Sequence, residues 1–102
     1  MVPVIANQLP ALAEIFRRHH VMRADVFGSA VSDAFNADSD IDLLVAFDDS
    51  IALLEYADNY FSLKEKLEEL LGRSVDLVPE RSLKNPVLFD SIHRTKQLVY
   101  AA

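Results

Sequence analysis

Apolar residues recur along this chain with two periods, one near 3.6 and one near 2, and each switch between them marks a boundary between helix and strand. Leu9, Leu12, Ala13, Ile15 and Phe16 follow helical spacing with Pro10 in the first turn, which predicts an amphipathic helix over 9–20 with a basic end at Arg17-Arg18-His19-His20. Val21, Met22, Ala24, Val26 and Phe27 form a strand-like run that stops at Gly28, and Ser29 is then expected to N-cap a helix of one or two turns over Ala30 to Phe35. A polar loop at Asn36 to Ser39 leads into a strand over Asp40 to Phe47. Its second half, Leu43 to Phe47, is apolar on both faces and so reads as central and buried. Ser50 is expected to cap a long helix from Ile51 to Leu71, stopped by Gly72. Its inner face is assigned to Leu53, Leu54, Ala57, Phe61, Leu67, Leu70 and Leu71, widened by Tyr56, Tyr60 and Leu63. Ser74 to Val78 reads as a third strand ended by Pro79, Asn85-Pro86 opens a helix to about Arg94, and Leu98-Val99-Tyr100 is a last strand. Strands alternating with helices predict an α/β (α+β) domain: a small mixed β-sheet flanked by helices.

The totals narrow the class. The 102 residues are 51% hydrophobic and 25% charged, which suits one compact domain over 1–102 rather than a disordered or fibrous segment. A domain of this size buries a modest share of its surface, so a partner or a second copy would add useful stability, and a homo- or hetero-oligomer stays open. With no cysteine there is no disulfide framework, thiolate metal site or cysteine nucleophile. Ten Lys and Arg against sixteen Asp and Glu, a net charge of -6, argue against direct nucleic-acid binding, which needs a basic face. Nucleotide binding is compatible with that charge, because a bound cation reverses the local sign. Met1 to Ala6 lack the pattern of a secretion signal, and no apolar run approaches the ~20 residues of a membrane span, so the expected location is cytoplasmic.

The chemistry centres on Asp40 and Asp42. Alternation along a strand sends both carboxylates to one face and Ile41 to the other. Two like charges at the mouth of a buried strand are unfavourable unless a cation neutralises them, and Mg²⁺, a hard ion held by one or two carboxylates plus phosphate oxygens, suits the pair. Ten aspartates make roughly one D-x-D triplet expected by chance, so the triplet alone carries little weight. An EF-hand counted from Asp38 fails where Leu43 stands in place of glycine. A phosphatase-type triplet would follow its apolar strand rather than precede it.

Upstream, Gly28-Ser29 and the ten residues Ala30 to Ser39 complete a G-S-x10-D-x-D pattern, set between a strand and a turn. Here the chain resembles the nucleotidyltransferase superfamily that includes DNA polymerase β, and in particular its minimal (MNT) members, over nearly its whole length. The resemblance implies the nucleotidyltransferase fold and a third carboxylate at Asp76, within Ser74-Val75-Asp76-Leu77-Val78. It also implies that Asp40, Asp42 and Asp76 are catalytic and hold Mg²⁺, and that Gly28 and Ser29 bind the phosphates of ATP or another nucleoside triphosphate. The activity implied is transfer of a nucleoside monophosphate, AMP above all, to an acceptor hydroxyl. Stand-alone members of this size pair as antitoxins with small helical HEPN-domain toxins, which some of them adenylylate, so a HEPN-domain protein is the partner the resemblance implies. Glycine allows close approach of backbone to phosphate, and Ser29 with the amides after it can donate to phosphate oxygens.

The chain departs from the family at one place. Many minimal members continue G-S-x-A-R-G, whereas here Ser32 replaces the arginine and Asp33 the glycine, which removes an electropositive contact. That departure supports a competing class, a catalytically weak or inactive module that neutralises or scaffolds a helical partner by contact. Intact Asp40, Asp42 and Asp76 oppose it. His19, His20 and His93 lie near helix ends, where cations favour the helix dipole, and are assigned structural roles. Lys64, Glu65, Lys66, Glu68 and Glu69 read as a solvated helix face.

Overall fold

A computed structural model describes all 102 residues. In chain order the elements are α1 (Pro3–Ala6), α2 (Leu9–Arg18), β1 (Val21–Phe27), a 3₁₀ turn (Gly28–Val31), β2 (Ile41–Phe47), α3 (Leu53–Leu71), β3 (Val75–Pro79), a second 3₁₀ turn (Glu80–Ser82), α4 (Pro86–Thr95) and β4 (Gln97–Ala101). Four strands form one mixed sheet in the order β3-β2-β1-β4. The β1–β2 and β1–β4 pairs are antiparallel, while β3 returns parallel to β2 through the crossover helix α3. This is the small mixed sheet flanked by helices that the pattern predicts, and no helix is long and apolar enough to cross a membrane.

The core lies on one face of the sheet. Leu12 and Phe16 of α2 and Leu63, Leu67 and Leu71 of α3 pack on Ala24, Val26, Ile41, Leu43, Val45, Val75 and Leu77. Each of these fully buried large side chains contributes about 1.5–3 kcal/mol of transfer free energy. Polar groups at the margins find partners. The Tyr60 hydroxyl donates to the Leu77 carbonyl at 2.6 Å, and the Asn85 side chain caps α4 by accepting from the Val87 and Leu88 amides.

Several local expectations are corrected. The short helix α1, which no expectation covered, seats Ile5 fully buried. Helix α2 stops at Arg18 rather than 20, because the chain reverses through His20 at φ 62° and the Asn59 side chain donates to the His19 carbonyl at 2.8 Å. His19 itself is bound to the Ile15 carbonyl and to Ser62, so its role is structural. The expected helix over Ala30 to Phe35 is only the 3₁₀ turn Gly28–Val31, with Phe27 rather than Ser29 at its N-cap. Ser32 explains the early stop: its hydroxyl donates to the Ser29 carbonyl and accepts from the Ala34 amide, in competition with further helical bonds.

Helix α3 begins at Leu53 after Ala52, and Ser50 does not cap it; the Ser50 amide instead binds the Asp48 side chain. Its inner face is also narrower than the sequence suggests. Leu53, Leu54 and Phe61 are exposed at 88, 93 and 64%, and burial falls on Leu63, Leu67 and Leu71. A sheet of four short strands covers one stripe of a helix, not two-thirds of its circumference.

The opposite face of the sheet is more open. It carries Asp76 on β3, Asp42 and Leu44 on β2, and Arg23 and Asp25 on β1. Helix α4 runs beside the Gly28 turn and inserts only Ile92 into buried surroundings.

Candidate active site

The antiparallel register sets Phe27 of β1 opposite Asp42 of β2, so the residue after Phe27 turns the chain directly over that carboxylate. That residue is Gly28, with φ at +70°, in the left-handed region that L side chains avoid. A Cβ at this position would stand 2.2 Å from Oδ2 of Asp42. Glycine is required here twice, by the backbone angle and by the carboxylate that fills the space a side chain would take.

Parallel pairing then brings Asp76 of β3 into register with Asp42, with Ile41 opposite Val75 and Leu43 opposite Leu77. Neighbouring strands lie about 4.8 Å apart and paired residues point to the same face, so the two carboxylates stand side by side. Asp40 precedes β2 at the same end, exposed, while Asp42 is half-buried and Asp76 exposed. Gly28, Ser29, Asp40, Asp42 and Asp76 thus gather at one end of the open face.

The electrostatics of this end are unfavourable as they stand. Burial first, then the charges of Asp76 and Asp40, raise the pKa of Asp42 above its ordinary 3.8. None of the seven ion pairs of the protein includes Asp40, Asp42 or Asp76. No group of three or more acidic, His or Cys side chains converges on a single ion position. The donor set is therefore all-oxygen, unpaired and mutually repelling, with adjacent carboxylates rather than a closed cage. Such a set fits Mg²⁺, which takes one or two carboxylates and completes its shell with water and phosphate oxygens.

The element expected to face phosphate differs from the expectation. A 3₁₀ turn replaces the helix, so the groups available beside Asp42 are the half-buried Ser29 and the amides of a single turn rather than the N-terminus of a longer helix. One supporting residue escaped the sequence reading. The Arg73 guanidinium donates to the Asn36 and Ser39 carbonyls at 2.8 and 2.9 Å and lies over the Phe35 ring at 4.4 Å. With the Ile41 amide bound to the Ser74 carbonyl, it fastens the loop that delivers Asp40 to the start of β3. No motif marks it; an arginine directly after a helix-stopping glycine is the only sequence trace.

Comparison with known proteins agrees with this arrangement. The family model described as "Polymerase beta, Nucleotidyltransferase" matches residues 11–102. The protein adenylyltransferase MntA of Thermococcus cleftensis is 42% identical over 74 residues, 72% of this chain and 71% of that one. A solved protein provisionally classed as a minimal nucleotidyltransferase superposes with a TM-score of 0.73 at 38% identity, over 90% of this chain and 89% of its own. At the level of fold, the chain also matches a solved complex of a tri-AMPylated HEPN toxin from Shewanella oneidensis with its MNT antitoxin, with a TM-score of 0.66 at 21% identity, over 96% of this chain and 73% of that one. With the motif, the sheet order and these relatives in agreement, the chain belongs to the polymerase β-type nucleotidyltransferase family, as a minimal nucleotidyltransferase domain.

Proposed function

We propose that this protein is a Mg²⁺-dependent protein adenylyltransferase that moves AMP from ATP to a hydroxyl of a helical HEPN-domain partner, acting as the antitoxin of a toxin–antitoxin pair. The observation that carries the reading is the placing of Asp42 in register with Asp76 and directly beneath Gly28, which leaves unpaired carboxylates beside an open turn. The name of the relative MntA and the modified toxin in the matched complex supply the acceptor class.

In this reading Asp40 and Asp42 hold the cation at the phosphates, and Asp76, in register with Asp42, adds a ligand and accepts the proton of the attacking hydroxyl. When bound, Mg²⁺ neutralises charge on the phosphates and on the leaving pyrophosphate. Gly28 gives the phosphates access to the backbone, and Ser29 donates to them. Burial, and after it the charges of Asp76 and Asp40, raise the pKa of Asp42, and a bound cation would offset the repulsive part of that shift.

The experiment is incubation with ATP labelled at the α-phosphate, Mg²⁺ and the product of the neighbouring gene, next to an Asp40→Ala/Asp42→Ala variant. Label on the partner that the variant fails to transfer supports the reading. Equal binding of unlabelled partner by both proteins, with no transfer by either, replaces it with a contact-only module, the reading favoured by Ser32 and Asp33.

A further inference from the structure

The sheet face that carries Asp42 also holds the one buried charged residue of the protein. Asp25 is 2% exposed, on β1 between Leu44 of β2 and Leu98 of β4. An unpaired carboxylate in that position would be costly, and two cations answer it. Arg23 donates to it from Nε at 3.1 Å and from Nη2 at 3.3 Å, and Lys96 donates from Nζ at 3.4 Å.

The two cations are not equivalent. Arg23 grips both carboxylate oxygens from two positions away on the same strand, so it satisfies Asp25 without help. Lys96 makes a single contact near the upper limit of a hydrogen bond, and an ammonium has three donors. Their places along the sheet also differ. Arg23 sits opposite Ala46, toward the far end of β2. Lys96 immediately precedes Gln97, the partner of Val26, which sets its backbone level with Phe27, the residue opposite Asp42. From there its side chain, 16% exposed, reaches over the face that Asp42 shares. A groove of about 320 Å³ runs between the Gly28 turn and the end of α4 where Lys96 begins; Phe27, Val31, Leu88 and Ile92 make its apolar wall, and Gly28, Ser32, Ser91 and Thr95 line the rest. The turn itself supplies no cation, since Ser32 and Asp33 occupy its exit.

We infer that Lys96 is a polyphosphate-binding residue of this site. Its ammonium, parked on Asp25 in the free protein, turns to the phosphate tail of the bound nucleotide and supplies the electropositive contact missing from the turn. Arg23 keeps Asp25 paired when it does. The inference rests on the nucleotide reading above and assigns the tail of that nucleotide to a side chain from the α4–β4 junction.

The test is calorimetric binding of the non-hydrolysable ATP analogue AMP-PNP with Mg²⁺, and of AMP, to wild type, Lys96→Met and Lys96→Arg. Methionine retains the apolar stem and leaves Asp25 with Arg23, so folding, checked by thermal unfolding, is preserved. The expected result is AMP-PNP binding weakened about tenfold or more in Lys96→Met, largely restored in Lys96→Arg, with AMP binding equal in all three. AMP-PNP binding unchanged in Lys96→Met, or AMP weakened as much as AMP-PNP, overturns the inference and leaves Lys96 as a fastener of β4 to β1. A wild type that binds neither nucleotide removes the nucleotide reading itself, and this inference with it.

Discussion

The contact between Gly28 and Asp42 makes a quantitative prediction, because the protein contains its own control. Gly28 and Gly72 both hold left-handed backbone, with φ at +70° and +66°. An alanine at either position meets the same steric penalty, about 1–2 kcal/mol for an L residue in that region. Either one also gains the same reduction in unfolded-state entropy, about 0.4–1 kcal/mol. Their surroundings differ. Nothing lies within 4 Å of a Cβ at position 72, whereas at position 28 the Asp42 Oδ2 would be 2.2 Å away and Cγ 3.2 Å. Ile41 and Leu43 on either side of Asp42 are fully buried, so the strand cannot shift and the carboxylate must rotate off its rotamer. That displacement costs about 0.5–1.5 kcal/mol beyond the backbone term. Gly28→Ala should therefore be less stable than Gly72→Ala by about 1 kcal/mol, or about 4–8 °C in melting temperature for a domain of this size. In an Asp42→Gly background the excess should vanish, which a double-mutant cycle followed by thermal unfolding reads directly. An identical cost for Gly28→Ala in both backgrounds would refute the packing argument.

Other predictions follow from the same geometry. Because the folded pKa of Asp42 is raised, the folded chain holds that proton more tightly than the unfolded one, and this stabilisation is present in acid and lost as pH rises through the folded value. Asp42→Asn should consequently raise the melting temperature at neutral pH, with the gain fading as pH falls through the folded value and gone below the ordinary 3.8, and should abolish any stabilisation by Mg²⁺; a lower melting temperature at pH 7 would contradict the cost of the buried, crowded charge. Leu67→Ala, at a fully buried position, should cost about 2–5 kcal/mol in denaturant unfolding, while Leu54→Ala, 93% exposed, should stay within about 0.5 kcal/mol of wild type. Arg73→Ala frees two loop carbonyls and should speed amide exchange across residues 36–40 with little change in the core, so uniform loss of protection would assign Arg73 a global role instead.

The legible parts of this sequence were those written in local pattern. Alternation along Val21–Phe27 and Ile41–Phe47, the helix stop at Gly72 and the Asn85-Pro86 start all match the structure within a residue or two, since each depends on backbone preference and one buried face. The proximity of the candidate site residues was legible for a related reason. Gly28 directly follows β1 and the D-x-D triplet opens β2, its antiparallel neighbour, so the two meet in space across a short stretch of sequence. What could not be read depended on partners far away in the chain. Which stripe of α3 is buried is decided by the width of the sheet, and Leu53, Leu54 and Phe61 look as apolar as Leu63 and Leu67 until that sheet is in place. The ending of the Gly28 turn is decided by the Ser32 hydroxyl, and the tie between Arg73 and the 36–39 loop joins segments on either side of β2 and α3. The pairing of Arg23, Asp25 and Lys96 has the same character, a lysine from the end of α4 answering a carboxylate in the first strand.

The unequal routes by which the carboxylates arrive bear on how the site is assembled. Gly28, Asp40 and Asp42 belong to the antiparallel β1–β2 unit, whose contacts are short in sequence and inexpensive in loop-closure entropy. Asp76 is brought to its position by the crossover helix α3 and a parallel pairing, a contact of greater sequence separation and so costlier to close. A chain caught before that crossover settles, or nicked within α3, would keep every residue of the recognisable motif yet lack the carboxylate beside Asp42. Completion of the carboxylate pair thus depends on a pairing that the recognisable motif does not itself contain.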